Sequence, residues 1–276
     1  MSAAWDDPRI ARGMEKQLVA RRARIAAGEK PIGWKVGLGA KAAMERLNIR
    51  MPLVGYMMQK SVVPNGSTVS VAGWTQPVAE PEIAAYMATD LAGGASREAA
   101  IAAVGALGPA IELADLNPPP VDVEVALGGN IFHRNVILGT PDKARAGVKL
   151  DGLAGLVFRR GAQVARQEDL QANIGNIVDI VAHVAGTLAA YGEKLRAGDV
   201  IITGSIVPPP LIEKDETEFA YTLAPMAQLS VNNFARAPGL LPSTISGAVT
   251  ISVAARRLAS RMYGYCERPS SVPSTS

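Results

Sequence analysis

Cysteine and histidine are scarce in this sequence, which has one Cys and two His among its 276 residues. A disulfide takes two cysteines and a structural zinc site normally takes four nitrogen or sulfur ligands, so disulfide scaffolds and zinc ribbons are excluded. No uninterrupted apolar run reaches the roughly 18 residues of a membrane-spanning helix. Residues 1–10 also lack the basic and then apolar layout of a secretion signal. We therefore expect a soluble, cytoplasmic protein that has no membrane partner.

An excess of one charge is missing as well. The sequence has 28 Lys and Arg against 25 Asp and Glu, a net charge of +3, and the basic residues are interleaved with acidic ones. Without a basic block or stripe, a nucleic-acid partner is not expected. The content of 48% hydrophobic and 19% charged residues is that of an ordinary globular protein with a substantial core.

Hydrophobic periodicity predicts a mixture of helices and short strands. Helical spacing of apolar residues predicts helices at residues 7–30, 97–107 and 170–196. Alternating and β-rich runs predict strands at residues 31–39 and 199–204 and a late hairpin within residues 217–234. The end of the chain, residues 268–276, is rich in Pro and Ser, which is typical of a disordered tail.

Two glutamates separated by a proline make residues 77–86 the most informative segment. If this segment is extended, Glu80 and Glu82 project from the same face, because strand side chains alternate with period two. Like charges this close repel each other unless a cation neutralises them or one of them keeps a proton. Pro81 cannot donate to a sheet ladder, which predicts a sheet edge or an irregularity here. A solvated strand edge is the alternative interpretation.

A third glutamate, Glu112, lies in an otherwise apolar run whose strand should be mostly buried. An ionised Glu is rarely buried without a partner, and a cation is a reasonable partner. Three carboxylates without a neighbouring His or Cys form a hard, oxygen-rich set that suits Mg²⁺ or Mn²⁺. Asp115, three residues further on, is interpreted as a turn or helix cap. His183 is among apolar residues of a predicted helix and is assigned no role.

The order and rough spacing of several motifs resemble the 2-oxopent-4-enoate hydratase and 4-oxalocrotonate decarboxylase family, within the fumarylacetoacetate hydrolase superfamily. The resemblance covers about residues 10–235, and the paired glutamates followed by a third are its most specific part. The motifs are Gly33-Trp-Lys-Val-Gly37, Glu80-Pro-Glu-Ile83, Ala110-Ile-Glu-Leu-Ala-Asp115, Asn130 with Leu138-Gly139 downstream, and Gly198-Asp-Val-Ile-Ile-Thr-Gly-Ser205.

This resemblance implies an α+β fold with a mixed β-roll core and flanking helices, and a homo-oligomer. It implies a divalent metal held by Glu80, Glu82 and Glu112, with Lys35 beside it. The expected organisation is an N-terminal helix-and-strand cap at residues 1–75, the metal-binding core at 76–240 and a C-terminal extension at 241–276. A place in the catabolism of aromatic compounds is also implied.

Two segments depart from the family pattern. The stretch Met51-Pro-Leu-Val-Gly55 lacks an Asp that family hydratases usually carry, and Gly129-Asn-Ile-Phe-His-Arg134 stands where the family has an Asp and two serines. His133 therefore falls where a serine is expected. It can be a structural residue or the acid and base of the reaction, because the pKa of a histidine lies near neutrality.

The sequence thus predicts a metal-dependent hydro-lyase that adds water to a small 2-hydroxy-dienoic or 2-oxo-enoic acid. Lys35 would supply positive charge or a proton near the substrate oxygens, and His133 would relay protons. The same enolate chemistry would serve a decarboxylase, or a carbon-carbon bond hydrolase of 2-oxo acids such as acylpyruvates. A small-acid binding protein that keeps the metal site without turnover is a further alternative, because the usual Asp and serines are missing.

Overall fold

In the computed structural model, residues 3–236 are described, and they form two sheets with helices packed around them. The helices are α1 (Pro8–Ala26), α2 (Lys41–Leu47), α3 (Arg97–Ala103), α4 (Val123–Gly128) and α5 (Ile177–Ala190). The strands are β1 (Pro31–Gly37), β2 (Leu53–Met58), β3 (Ser67–Ser70), β4 (Pro77–Met87), β5 (Val104–Asp115), β6 (His133–Leu138), β7 (Ala154–Arg159), β8 (Ala162–Gln167), β9 (Val200–Ser205), β10 (Phe219–Ala224) and β11 (Gln228–Ala235).

Both sheets are mixed, which confirms the predicted α+β class. The larger sheet has six strands in the order β2-β1-β9-β4-β5-β6, and the smaller has five in the order β3-β11-β10-β7-β8. The pairs β1–β9 and β3–β11 are parallel, and the other pairs are antiparallel. The division of the chain at residues 75 and 240 stays a prediction, and β1 and β2 from the N-terminal segment lie in the same sheet as β4 and β5.

The two long helices are shorter than predicted, because local signals stop them. Helix α1 begins where the Asp7 side chain accepts from the Arg9 backbone N–H and ends before Gly28, which has a φ of +86°. Helix α5 begins only after Gly175, where Asn176 caps two N–H groups, and ends before Gly192, with a φ of +74°. The prediction of a helix over residues 170–196 was therefore wrong at both ends.

The predicted helix at 97–107 ends at Ala103, and residues 104–107 begin β5 instead. Gly105, Gly108 and Pro109 disfavour a continued helix, and pairing with β4 gives Val104 and Leu107 buried positions. The predicted strands at 31–39 and 199–204 and the late hairpin are confirmed as β1, β9 and β10–β11. The tail at 268–276 lies outside the described residues.

The six-stranded sheet has one apolar face and one face that carries charge. Trp34, Ile83 and Ile111 point to the main hydrophobic core, and α5 contributes Val181 and Val184 to the same core. The opposite face carries a smaller apolar cluster, made of Met57, Ala84, Ala110, Val136, Val200 and Ile202. None of the helices within residues 3–236 combines the length and apolar character that crossing a membrane requires.

Candidate metal centre

Three buried glutamates meet on the charged face of the six-stranded sheet. Glu80 of β4 is directly opposite Glu112 of β5, and Glu82 is two residues further along β4. One carboxylate oxygen from each of the three lies within 4.8 Å of the others. Glu82 and Glu112 are 0% exposed and Glu80 is 8% exposed. The convergence that the period of two predicted for Glu80 and Glu82 is therefore present, and strand pairing adds Glu112 to it.

Strand β4 is not an edge strand, so that part of the Pro81 prediction was wrong. It is in the sheet interior, between β9 and β5. The predicted irregularity is there, because the register of β4 against β9 shifts between Glu82 and Ala84. Pro81 precedes this shift, and the pairing of β4 with β9 begins only at Glu82 and Ser205, so the missing N–H of Pro81 is tolerated. The Pro81 carbonyl accepts a hydrogen bond from Ile206 N at 2.9 Å.

Glu112 uses one carboxylate oxygen for two donors. Its Oε1 accepts from Lys35 Nζ at 2.6 Å and from His133 Nδ1 at 2.7 Å. Its Oε2 is buried and has no hydrogen-bond partner among the described residues. Burial alone would raise the pKa of the Glu112 carboxyl, but the Lys35 ammonium and the His133 hydrogen bond outweigh it and lower this pKa to about 2.

The pKa values of the other two carboxyls, Glu80 and Glu82, shift in the opposite direction. Burial and the neighbouring Glu112 charge raise the pKa of Glu80 to about 8. Burial, Glu112 and Glu80 raise the pKa of Glu82 well above its usual value. Glu82 Oε2 accepts from the Gly204 backbone N–H at 2.6 Å, whereas its Oε1 has no partner within residues 3–236. Within residues 3–236 these three carboxyls share one lysine, so ionising all three together would leave negative charge in excess.

The donor set fits a hard divalent cation. The two buried oxygens without partners, Glu82 Oε1 and Glu112 Oε2, belong to the group of carboxylates whose ligand atoms converge. An unpaired buried oxygen is costly, and a cation would satisfy both oxygens and neutralise the excess charge. Carboxylate oxygens are the ligands that Mg²⁺ and Mn²⁺ prefer.

Lys35 is 1% exposed, so its side chain is buried along its whole length. Besides Glu112, its Nζ donates to the Ile131 carbonyl at 3.2 Å. Burial would lower the pKa of Lys35, but the three neighbouring glutamates raise it, so this side chain is a fixed cation. Gly55 lies opposite Lys35 on β2, where a Cβ would come within 3.0 Å of the lysine Cγ.

His133 lies behind Glu112. A register shift between β5 and β6 leaves Arg134 as an extra residue, so that His133 is paired with Ala114 and shares the face of Glu112. Its Nδ1 contacts Glu112 and its Nε2 lies 3.0 Å from Ser61 Oγ. Both ring nitrogens are thus engaged by protein groups. Sequence reasoning missed Ser61, whose approach depends on a contact between segments 72 residues apart.

A cleft of about 530 Å³, part of it open to solvent, leads to Lys35 and Glu80. Apolar side chains form much of its wall, namely Leu38, Pro52, Leu116, Ile131, Phe132, Ile174 and Pro209. Ser205 also lines it, and its hydroxyl oxygen is buried without a partner in the described part of the chain. His133 is not among the described residues that line this cleft.

The segment at residues 130–132 shapes one wall of the cleft with unusual backbone angles. Asn130, Ile131 and Phe132 have φ values of +55°, +50° and +65°, a left-handed conformation that side chains such as Ile131 rarely adopt. The Asn130 side chain holds this turn, since its Oδ1 accepts from Tyr56 N at 2.8 Å and its Nδ2 donates to Tyr56 O at 2.9 Å. The turn aims the Ile131 carbonyl at Lys35.

Two further polar residues from the sequence serve the fold. Asp115 Oδ1 accepts from the backbone N–H groups of Thr75 and Gln76 at 3.0 and 2.8 Å, so it caps the segment before β4, whereas the sequence predicts a cap on its own turn before Asn117. His183 Nε2 bonds to the Pro52 carbonyl at 2.8 Å, and its ring stacks on Trp5. Neither residue belongs to the carboxylate group.

The fold and the donor set define a mixed two-sheet protein with a buried group of three carboxylates whose chemistry suits a divalent cation. Residues 33–228 match the family described as fumarylacetoacetate (FAA) hydrolase C-terminal. The chain belongs to this family, and the two sheets with their helices are its β-roll fold.

Three relatives are similar over most of the chain. A 2-hydroxyhexa-2,4-dienoate hydratase of Comamonas testosteroni is 32% identical, over 68% of this chain and 72% of the relative. A 4-oxalocrotonate decarboxylase of a Pseudomonas species is 28% identical, over 73% and 77%. The solved 4-oxalocrotonate decarboxylase from Pseudomonas putida G7, complexed with magnesium and adipate, superposes with a TM-score of 0.72 at 25% identity, over 79% of this chain and 83% of that one.

Proposed function

We propose that this protein is a metal-dependent hydratase that adds water to a short 2-hydroxy-2,4-dienoate. The observation that carries the proposal is a set of three buried carboxylates with two unpartnered oxygens beside a buried lysine, of which Glu80 and Lys35 reach the wall of a largely apolar cleft. The relative at 32% identity, named a 2-hydroxyhexa-2,4-dienoate hydratase, supports this choice of reaction.

We assign the cation to Glu80, Glu82 and Glu112 and its identity to Mg²⁺ or Mn²⁺, because all three donors are carboxylates. The magnesium in the solved decarboxylase supports this assignment. When bound, such a cation supplies Lewis-acid polarisation to substrate oxygens and fixes their orientation. Because Glu112 Oε1 is already saturated by Lys35 and His133, Oε2 is the oxygen left for the cation.

Lys35 supplies fixed positive charge next to the substrate oxygens. An ammonium has three donors, of which Glu112 Oε1 and the Ile131 carbonyl take two, and the side chain lines the cleft. The third N–H can therefore stabilise charge on the C2 oxygen when the dienol becomes a 2-oxo-enoate. Ser205 Oγ, buried on the same wall without a described partner, can bind a carboxylate oxygen of the substrate.

The hydration itself balances without an external oxidant or reductant. The dienol loses its C2 hydroxyl proton and gains a proton at C5, which leaves a double bond between C3 and C4. Water then adds its oxygen at C4 and a proton at C3. The apolar walls, including Leu116 and Phe132, limit bulk water around these carbons.

The cleft favours a hydratase over a decarboxylase, the second candidate function. A 4-oxalocrotonate substrate carries a second carboxylate at its far end, and the relative at 28% identity is named for that substrate. Among the described residues of the cleft wall, Lys35 is the one cationic side chain, and it is already paired with Glu112. The apolar wall suits a hydrocarbon end instead.

We also propose that the protein works as a cytoplasmic homo-oligomer. Sedimentation of the purified chain tests its oligomeric state.

The proposal is tested by incubating the purified full chain with 2-hydroxyhexa-2,4-dienoate or 2-hydroxypenta-2,4-dienoate and following loss of the diene absorbance. Parallel reactions contain Mg²⁺, Mn²⁺ or EDTA, and 4-oxalocrotonate and an acylpyruvate serve as competing substrates. We expect metal-dependent consumption of the dienoate with formation of a 4-hydroxy-2-oxo acid. Release of CO₂ from 4-oxalocrotonate as the faster reaction would assign the protein to the decarboxylases. Binding of the metal without turnover of any of these acids would identify a binding protein.

A further inference from the structure

Ser61, His133 and Glu112 form a chain of hydrogen bonds, with Ser61 and Glu112 at its two ends. Ser61 Oγ lies 3.0 Å from His133 Nε2, and His133 Nδ1 lies 2.7 Å from Glu112 Oε1. Ser61 is 6% exposed, and the His133 side chain is 3% exposed. The chain of contacts is thus sealed from water along its length, which makes its geometry more sharply defined than that of a surface network.

The backbone on both sides of this chain is fixed. Ser61 ends the short 3-10 helix Gln59–Ser61, and its hydroxyl donates to the Met58 carbonyl at 2.8 Å. The next residue, Val62, forms a parallel bridge with Val136 of β6, and Val63 N donates to Val136 O at 3.0 Å. The segment that carries Ser61 is therefore docked on the strand that carries His133.

The consequence lies at the two oxygens of Glu112. Without a group at Nε2, the imidazole could rotate about its side-chain bonds, and Nδ1 would no longer be fixed against Oε1. With Ser61 in place, Oε1 is held by His133 and Lys35 together, and Oε2 is left without a partner in the described structure. Residues that hydrogen-bond to a metal ligand orient that ligand, and their loss typically weakens metal binding about 10- to 100-fold.

We propose that Ser61 is a positioning residue that acts through His133 to hold Glu112 Oε2 toward a divalent cation. This inference rests on the proposed metal site and goes beyond it, since it gives His133 a role that does not require contact with the substrate.

The test compares Ser61→Ala with Ser67→Ala in the full-length protein. Ser67 is the matched control, because its hydroxyl donates to a carbonyl three residues earlier, Pro64 O at 2.7 Å, just as Ser61 donates to Met58 O. Mn²⁺ affinity by calorimetry and thermal unfolding in EDTA are measured for both variants. We expect Ser61→Ala to bind Mn²⁺ about threefold to tenfold more weakly and His133→Ala about 10- to 100-fold more weakly. Ser67→Ala should bind like the wild type.

A double variant shows whether Ser61 acts through His133. In the His133→Ala background, Ser61→Ala should produce no further loss of Mn²⁺ affinity. A metal-independent readout is the imidazole nitrogen spectrum of the EDTA-treated protein, which contains two histidines, His133 and His183. Ser61→Ala should shift the Nε2 resonance of His133 and leave that of His183 in place.

Wild-type protein that binds no Mn²⁺ would refute the proposed metal site itself. If the wild type binds Mn²⁺ and Ser61→Ala binds it equally well, the positioning role is overturned and the metal site stands. The same conclusion follows if Ser61→Ala weakens Mn²⁺ binding by the same factor in the wild-type and His133→Ala backgrounds. If Ser61→Ala does not fold, Ser61→Cys gives the same comparison, because sulfur fills the space and is a weak hydrogen-bond acceptor.

Discussion

Trp34 and Lys35 are neighbours on β1 and point to opposite faces of the sheet, where two clusters bury charge in different ways. Trp34 faces a cluster in which the Arg21 guanidinium stacks 4.5 Å from the Trp34 ring centroid and bonds to Glu193 at 3.1 Å. Trp34 Nε1 donates to Asp199 at 3.2 Å. We call these four residues the Arg21 cluster. Lys35, on the opposite face, belongs to the carboxylate cluster of Glu80, Glu82 and Glu112.

The two clusters differ in charge balance. Arg21, together with Arg22 on the surface, offsets Glu193 and Asp199, so the Arg21 cluster is close to neutral. It attaches α1 to the sheet. The carboxylate cluster has three acids for one lysine, with two oxygens unpartnered among residues 3–236. Burying three carboxyls beside one lysine lowers the stability of the folded state whether they ionise or hold protons, so the carboxylate cluster is a cost to the fold that a bound cation would remove.

The sharpest way to test this comparison is Glu82→Gln, for which stability and metal affinity should change in opposite directions. Mn²⁺ affinity should fall by more than the roughly 100-fold that loss of a residue hydrogen-bonded to a ligand can cause, because here a ligand atom itself is lost. In EDTA the variant should unfold at a higher temperature than the wild type at neutral pH. Folding raises the Glu82 pKa, so above the unfolded pKa the folded state keeps a proton that the unfolded chain has released. This lowers stability as the pH rises, and a neutral amide removes that penalty.

Glu193→Gln is the matched control, because it neutralises a carboxylate of the balanced cluster. It should lower the unfolding temperature and leave Mn²⁺ affinity unchanged. If calorimetry gave the same Mn²⁺ affinity for the wild type and for the Gln variants of Glu80, Glu82 and Glu112, the metal site would be misplaced.

The second prediction concerns the one cation of the carboxylate cluster. Lys35→Met keeps the bulk of the side chain and removes its charge, so turnover of the dienoate at saturating Mn²⁺ should fall roughly 10²-fold or more. Stability in EDTA should also fall, by about 3–5 kcal/mol, because Glu112 loses the partner of a buried ion pair. Lys41→Met, at an exposed pair with Glu45, is the control. An unchanged kcat/KM in the Lys35 variant would remove this lysine from the reaction.

The sequence was sufficient for what short-range periodicity determines. The spacing of Glu80 and Glu82 predicts one face of a strand, and the apolar run around Glu112 predicts a buried strand, and both are observed. Periodicity does not determine which strands become neighbours. The interior position of β4 and the register that sets Glu80 opposite Glu112 follow from pairing between distant segments.

His133 shows the same limit more clearly. Its orientation depends on the one-residue bulge at Arg134, and its Nε2 partner arrives on a segment fixed by the Val62–Val136 bridge. No local pattern signals either feature. The residue types at 129–134 differ from the family pattern, and this difference indicated that the stretch had changed. It could not reveal Ser61, which lies elsewhere in the chain.

The third prediction tests the balanced cluster. Arg21→Met should lower the unfolding temperature by several degrees, because Glu193 and Asp199 lose a partly buried partner and Trp34 loses its stacking cation. Mn²⁺ affinity should remain that of the wild type, since the Arg21 cluster lies on the opposite face of β1. A fall in Mn²⁺ affinity comparable with that of Glu82→Gln would show that the two clusters are coupled through β1.

The smallest effect should come from His183, a buried titratable group that belongs to neither cluster. Burial lowers the pKa of its ring, partly offset by the hydrogen bond to the Pro52 carbonyl. In the unfolded chain the ring takes up a proton near its usual pKa of about 6.5, so the unfolded state binds more protons below that pH. This contribution to stability is therefore complete above pH 6.5 and is lost as the pH falls. His183→Gln, which can still donate to Pro52 O but does not titrate, should show a shallower decline of unfolding free energy between pH 7 and 5 than the wild type. Because the carboxylate cluster titrates in both proteins, the difference between the two denaturation curves isolates His183, and parallel curves would contradict the assignment.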